Sequence, residues 1–391
     1  MRTVLGLAAT TLLLCLPLFP QAVGQPLPAW TPGTLDIHQI NTGRGNSALF
    51  ILPDGTTMLV DAGDGNHEPP RGTAPKPDAS RPAGEWIGRY VRHMLRHDAT
   101  PAIDYAYLTH FHSDHMGAIT EVARHIPFRA LVDRGWPSYD YPAAQKGLAA
   151  YRAFAEAQSK AGVKVQRLVP GRNDQLVLKR APAQYQNFEI RNIAANGEIW
   201  TGAGTNTRQH FPPIATLQPA DYPSENMCSM AFRLSYGKFD FFSGGDMPGV
   251  RYEWAPVWND VETPVAQVVG PVEAMILNHH GNRDSTNAFL LAALRPRVFL
   301  IPVWTSNHPG EDVWHRLMNT RIYPGPRDVF ATGMLEGNRL VIGPSLDQLK
   351  SAQGHIVVRV AAGGETFQVI VLDDSAESFR VRSVHGPYTA R

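Results

Sequence analysis

The feature that most constrains this chain is Thr109-His110-Phe111-His112-Ser113-Asp114-His115, where three imidazoles and a carboxylate are packed into a few consecutive positions. Ile103-Asp104-Tyr105-Ala106-Tyr107-Leu108 precedes it with the alternation of a strand, and residues 116–123 follow as the opening of a helix. The run therefore sits on a strand-to-helix loop, with a rigid element on each side to hold ligands in fixed directions. Neutral imidazole and carboxylate oxygen are the donors that borderline divalent ions such as zinc prefer. In extended geometry His110 and His112 point the same way and can grip one ion. After the bend, Asp114 and His115 can face a second. A solvated turn would account for one isolated histidine, but not for this density.

Three further hydrophobic runs end in residues of the same kind. Met58-Leu59-Val60-Asp61-Ala62-Gly63 ends in Asp-x-Gly, Phe239-Asp240-Phe241-Phe242-Ser243-Gly244-Gly245-Asp246 in Gly-Asp, and Ala274-Met275-Ile276-Leu277-Asn278-His279-His280-Gly281 in His-His-Gly. In order and strand-end placement these motifs resemble the signature of the metallo-β-lactamase superfamily. The resemblance implies an α+β fold, an αββα four-layer sandwich of two mixed sheets with helices outside and metals at one edge. It implies that His110, His112 and Asp246 serve a first ion and Asp114, His115 and His280 a second, with Asp246 bridging and Asp61 steadying the loop from behind. Two Zn2+ are expected, with Mn2+ or Fe2+ as alternatives. A water between two such ions has its pKa lowered from about 15.7 to about 7 and becomes a bridging hydroxide nucleophile. Asp114 and His279 are the candidate catalytic residues; for His279 the alternative is a packed strand-end imidazole.

Within the superfamily, the chain is similar to the branch containing the extracytoplasmic domain of the competence DNA-uptake channel and the phosphorylcholine esterases. The similarity is carried by residues 40–46, by Glu225-Asn226-Met227-Cys228-Ser229-Met230, by His279-His280-Gly281 with Asp284-Ser285-Thr286, by residues 294–301 and by Asn307-His308-Pro309. Two departures matter. Asn41 and Asn46 stand where that pattern has Asp. The third histidine that many members supply to the first ion is not obvious, and the segment where it would fall reads Asn226-Met227-Cys228-Ser229. His210, in a Pro-rich loop, is the candidate substitute. Without it the first ion has only His110, His112 and Asp246, leaving more positions open to water or substrate.

The chain has 391 residues, 43% hydrophobic and 18% charged, enough for one large core. A formal charge of +1, from 36 basic and 35 acidic residues, gives no global electrostatic case for nucleic acid. Residues 1–24 read as a signal peptide, with Arg2, a short apolar stretch over residues 4–18 and Ala22-Val23-Gly24. A periplasmic or secreted protein is expected, without a transmembrane segment, since the apolar run falls short of the roughly 20 residues a span needs. After cleavage only Cys228 remains, which reads as a buried structural thiol.

Residues 31–345 are the expected catalytic domain, and residues 350–391 carry three β-rich runs that either complete the second sheet or form an appendage. Residues 35–50 and 56–60 read as a hairpin around Pro53-Asp54-Gly55, and residues 84–97 and 141–162 as helices. Residues 247–270 read as a loop over the active site.

The expected function is metal-dependent hydrolysis. A phosphodiester or phosphomonoester is the first choice, because an anionic phosphoryl group suits an under-ligated pair of ions with a spare histidine. Trp136, Tyr252, Trp254 and Trp258 are candidates for a cation-π cage around a choline-like group, with ordinary packing as the alternative. His308 either donates to a leaving group or closes a loop. The competing readings are a lactone or β-lactam hydrolase, whose relatives usually retain the third histidine, and a non-catalytic binding protein with a structural metal.

Overall fold

In a strand, successive side chains point to opposite faces, and here both faces are buried. Phe50, Met58 and Val60 join one hydrophobic core while Leu49, Ile51 and Leu59, their neighbours in the chain, join another. Val298 and Leu300 share the first core, whereas Phe299 and Ile301 enter a third. Strands apolar on both faces need cover on both, so two sheets pack together and helices close the outside. The computed structural model describes residues 22–66, 69–139 and 147–391, and shows this four-layer α+β sandwich. All but the last three positions of the expected signal peptide, and the beginning of the expected helix over 141–162, lie outside the described residues.

Among the described residues the first sheet has nine strands, in spatial order Val381–Thr389, Thr366–Leu372, His355–Val360, Leu35–Gln39, Ala48–Ile51, Thr57–Val60, Tyr105–Tyr107, Ala130–Asp133 and Lys164–Arg167. The second has eight, in the order Asp328–Ala331, Val298–Ile301, Ala274–Ile276, Phe239–Ser243, Ala231–Tyr236, Phe188–Ala195, Glu198–Trp200 and Thr207–Gln209. Both are mixed. The strands from Thr57 to Arg167 run parallel in the first sheet, and those from Phe239 to Ala331 in the second.

The helix Ala83–Met94 buries Trp86, Ile87, Tyr90, Val91 and Met94, a stripe at helical spacing, and Pro82 precedes it where no backbone donor is needed. With Ile119–His125 and Leu148–Lys160 it covers the first sheet. Glu262–Val269, Ala288–Leu294 and Glu311–Met318 cover the second. Each fully buried Leu, Ile or Val in these layers contributes about 1.5–3 kcal/mol. No helix among the described residues is long and apolar enough to cross a membrane.

Three local expectations change. Residues 35–50 are two strands, because the chain turns through Asn41, Gly43 and Gly45 between Gln39 and Ala48. The C-terminal runs continue the first sheet, not the second: His355–Val360 pairs antiparallel with Leu35–Gln39 and sends Val358 and Val360 into the core between the sheets. Residues 247–270 end in the helix Glu262–Val269, whose Val265, Ala266 and Val269 are buried.

Candidate metal centre

Strand ends converge on one edge of the sandwich, where open α/β sheets place their ligands. Asp61 follows Thr57–Val60, His110 to His115 follow Tyr105–Tyr107, Asp246 follows Phe239–Ser243, and His279 and His280 follow Ala274–Ile276. The structure brings six of these side chains into two groups. Donor atoms of Asp114, His115, Asp246 and His280 lie within 4.8 Å of one another, as do those of His110, His112 and Asp246. Asp246 belongs to both, with Oδ1 3.1 Å from His115 Nε2 and Oδ2 3.7 Å from His110 Nε2. His110 Nε2 is 3.2 Å from His112 Nδ1, and His280 Nε2 is 3.1 Å from Asp114 Oδ2 and 3.2 Å from His115 Nε2. Tetrahedral ligands about 2.1 Å from an ion stand about 3.4 Å apart, so these spacings fit shared cations.

The donors are aimed from behind. Asp61 accepts from Thr109 N at 2.7 Å, from Thr109 Oγ1 and Asn46 Nδ2 at 2.9 Å, and from His115 Nδ1 at 2.7 Å. That last bond puts the proton on Nδ1 and turns the Nε2 lone pair inward. His280 Nδ1 donates likewise to the Pro302 carbonyl at 2.9 Å. Asn46, one of the two departures, is the right residue for its place, since its amide can donate to Asp61 where a second carboxylate would repel it. Asn41, the other, donates to Thr332 O and Asp374 Oδ2, away from the centre. The glycine of Asp-x-Gly is explained by close approach: a Cβ on Gly63 would lie 2.0 Å from the Asp114 carbonyl oxygen.

His279 and His280 adopt left-handed backbone conformations, φ 49° and 55°, and this turn sends adjacent imidazoles different ways. His280 is buried among the donors. His279 lines a cavity of about 610 Å³ together with His112, Asp114, Asn226, Asp246 and Trp304, and belongs to neither donor group. Its Nδ1 is 2.6 Å from Asp284 Oδ1 and its Nε2 is 3.3 Å from Asn226 Nδ2. Burial opposes a proton on His279, but Asp246 and Asp284 outweigh it and hold the imidazole up to about 9.

Burial likewise opposes charge on Asp246, yet His115, His280, His279 and His110 keep its carboxyl well below the usual range. Burial drives His110 well below an ordinary imidazole, whereas Asp246, Asp61 and Asp114 overcome burial at His115 and raise it well above. A proton on His115 thus takes the place a cation would fill, and the ionised carboxylates and neutral His110 are the forms that bind metal.

Other candidates fall elsewhere. His210 contacts the Asp260 carbonyl at 2.9 Å and joins neither donor group, so it is no substitute ligand. His308 is buried behind His280, stacked at 4.6 Å between ring centroids and bonded to Thr305 Oγ1, which makes it a packing residue. Residues 247–270 do not line the cavity, and neither does Trp136. Trp136 packs on Tyr139, Trp258 on Phe211, and Tyr252 and Trp254 stack on each other in solvent, so these four do not build an aromatic cage. Burial pushes the Cys228 thiol up to about 12, leaving it unreactive. No local pattern points to the support from Glu225, whose Oε1 accepts from Phe111 N at 2.8 Å and from Arg134 Nε at 2.7 Å.

The family model of the metallo-beta-lactamase superfamily matches residues 41–177 of this chain. Among solved structures, the chain is similar to a CmlA beta-hydroxylase mutant at 12% identity and a TM-score of 0.37, covering 85% of this chain and 54% of that one. It therefore spans about half the length of that protein. It is also similar to Zn(2+)-bound PqqB from Methylobacterium extorquens, at 11% identity and a TM-score of 0.36, covering 68% and 88%. A third is the short form of human tRNase Z, at 12% identity and a TM-score of 0.30, covering 68% and 91%. No curated protein matches the sequence.

Proposed function

We propose that this protein is an exported dimetal hydrolase of phosphoesters in which His279 protonates the leaving oxygen. One observation carries the reading: two donor groups share the Asp246 carboxylate, and a further imidazole, His279, faces the same cavity without belonging to either. Two divalent ions held by these groups would supply Lewis-acid polarisation of a phosphoryl oxygen and a water whose pKa is lowered from about 15.7 toward 7.

The protein's own groups do the rest. Asp246 sets the separation of the two halves and offsets part of their charge. Asp61 and the Pro302 carbonyl keep His115 and His280 in the tautomers that face inward. Asp284 takes the Nδ1 proton of His279 into a hydrogen bond, so that Nε2 holds a second proton at the cavity wall, where a departing alkoxide needs one. Because His110, His115, Asp246 and His280 are buried, their fields act in a medium far less screening than water. The phosphoester is supported further by the similarity to the phosphorylcholine esterase branch and by the first donor group, which among the described residues holds no third histidine. Export is supported by the leader pattern of residues 1–24.

The test is turnover of generic phosphodiester, phosphomonoester and lactone substrates by purified protein. Phosphoester hydrolysis should vanish with a chelator and return with Zn2+ or Mn2+, while His279→Ala should keep its metal and lose about 10²–10⁴ in kcat. Lactone turnover without phosphoester turnover, or an unimpaired His279→Ala, would overturn the proposal.

A further inference from the structure

The cavity at the metal centre has a lining of two kinds. His112, Asp114, Asp246 and His279 supply the chemistry, whereas Phe111, Met116, Ile119, Ala150 and Tyr151 are apolar. At about 610 Å³ the cavity falls within the roughly 300–1,000 Å³ of sites that enclose a whole small molecule. A phosphoryl group at the metal donors therefore leaves much of it to be filled.

The apolar residues form one continuous wall. Phe111 alternates with His110 and His112 along the loop, and its ring lies 5.3 Å from that of Tyr151. Met116 ends the turn after Asp114 and Ile119 begins the next helix, while Ala150 and Tyr151 stand in the first turn of Leu148–Lys160. Met116 Cε reaches that helix, 3.2 Å from where a Cβ on Gly147 would stand. Tyr151 donates its hydroxyl proton to Asp133 Oδ2 at 2.9 Å, so its polar tip is used inside the fold and the ring is left for the cavity. The wall does not suit a cation, because the Arg134 guanidinium already lies 4.5 Å from the centre of the Phe111 ring. Apolar surface of this kind is released from water when hydrocarbon covers it.

Resting on the phosphoester reading above, we propose that the substrate carries an apolar hydrocarbon group, alkyl or aryl, seated on Phe111, Met116, Ile119, Ala150 and Tyr151 while its phosphoryl group faces the metal donors. The wall thereby selects among phosphoesters by the size of an uncharged substituent.

The test is calorimetric titration of metal-loaded protein with methyl-, butyl-, hexyl- and octylphosphonate, which carry the phosphoryl chemistry and are not hydrolysed. Each methylene that the wall covers should tighten binding about threefold to fourfold, and octylphosphonate should bind at least about a hundredfold more tightly than methylphosphonate. Ala150 is exposed, so it can be changed without opening the core. Ala150→Glu should cut the octyl preference at least about tenfold, because a carboxylate then meets the chain. Ala150→Met, of similar size but apolar, should keep most of it, with circular dichroism confirming the fold of both. Equal affinity along the series, an undiminished preference in Ala150→Glu, or tighter binding of the phosphonate analogue of phosphorylcholine than of hexylphosphonate would overturn the proposal. Should no phosphonate bind and no phosphoester turn over, it is the phosphoester reading that falls. The wall is then judged by lactones with methyl to octyl side chains, and a kcat/KM equal along that series overturns it as well.

Discussion

Removing the Asp246 carboxylate takes a donor from both groups at once, while removing Asp114 takes one from the second group only. Asp246→Ala should therefore lose both ions, and Asp114→Ala and His115→Ala should lose hydrolysis while keeping the fold and the ion of the first group. Metal analysis beside circular dichroism distinguishes the cases, and equal metal loss in Asp246→Ala and Asp114→Ala would show that Asp246 is not shared. Asp284→Asn addresses positioning. It should retain both ions and lower kcat about 10- to 100-fold, with a pH profile shifted to lower pH because the imidazole loses a carboxylate that favours its proton. An unchanged profile would confine Asp284 to packing. The residues these changes target were legible to different degrees. His110, His112, Asp114, His115, Asp246 and His280 could be read because ligand chemistry demands particular side chains at short spacings or strand ends. Glu225 could not be assigned its role, because its partner Phe111 is 114 residues away and is recognised through a backbone N–H that every sequence has.

At the scale of elements, the loops are where sequence and structure part. A strand pattern over residues 35–50 runs on through positions that the structure uses as a turn, because Asn41 is held by Thr332 and Asp374, contacts no local pattern reveals. Residues 247–262 brace the His279 loop and do not roof the cavity: Gly249 N and Val250 N donate to the Asp284 carbonyl at 2.7 and 2.8 Å, and Glu262 accepts from Thr286 N and Asn287 N at 2.6 and 2.7 Å. The brace under the first donor group is testable. Arg134→Met leaves Glu225 buried without its cation, a change that costs about 3–5 kcal/mol, and the melting temperature should fall together with affinity for the first ion. A variant that melts like wild type would show that Phe111 N alone satisfies Glu225. At Gly63→Ala the added Cβ meets the Asp114 carbonyl at 2.0 Å. Overpacking of this kind costs about 1–3 kcal/mol, and here it should also weaken metal binding, because what must move carries Asp114.

Taken whole, the molecule follows from apolar strands buried on both faces, whereas in the sequence the four layers were legible only through the strand-end motifs and the family they resemble. The place of the last three strands was not, because which edge they join depends on pairing across more than 300 residues between Leu35–Gln39 and His355–Val360. That junction holds a pH-sensitive group. His355 is buried and its Nδ1 accepts from Asn41 N at 3.0 Å, a bond a protonated ring cannot make. Burial lowers its folded pKa from 6.5 to about 4, so the unfolded chain takes up the proton first. Its contribution to stability is fully present above about 6.5 and is lost as pH falls toward 4, at most about 3 kcal/mol. Thermal melts between pH 7 and 4 should show a shallower decline in His355→Gln than in wild type; parallel declines would remove His355 from the account.

The central claim is that one carboxylate joins two metal sites, and the number of ions per chain tests it most directly. Metal-free wild-type protein titrated with Zn2+ and assayed by mass spectrometry under native conditions should take up two ions, and Asp246→Ala should bind neither at wild-type affinity. A wild-type chain that saturates with one ion or none, or an Asp246→Ala chain that still binds two as tightly, would contradict the account.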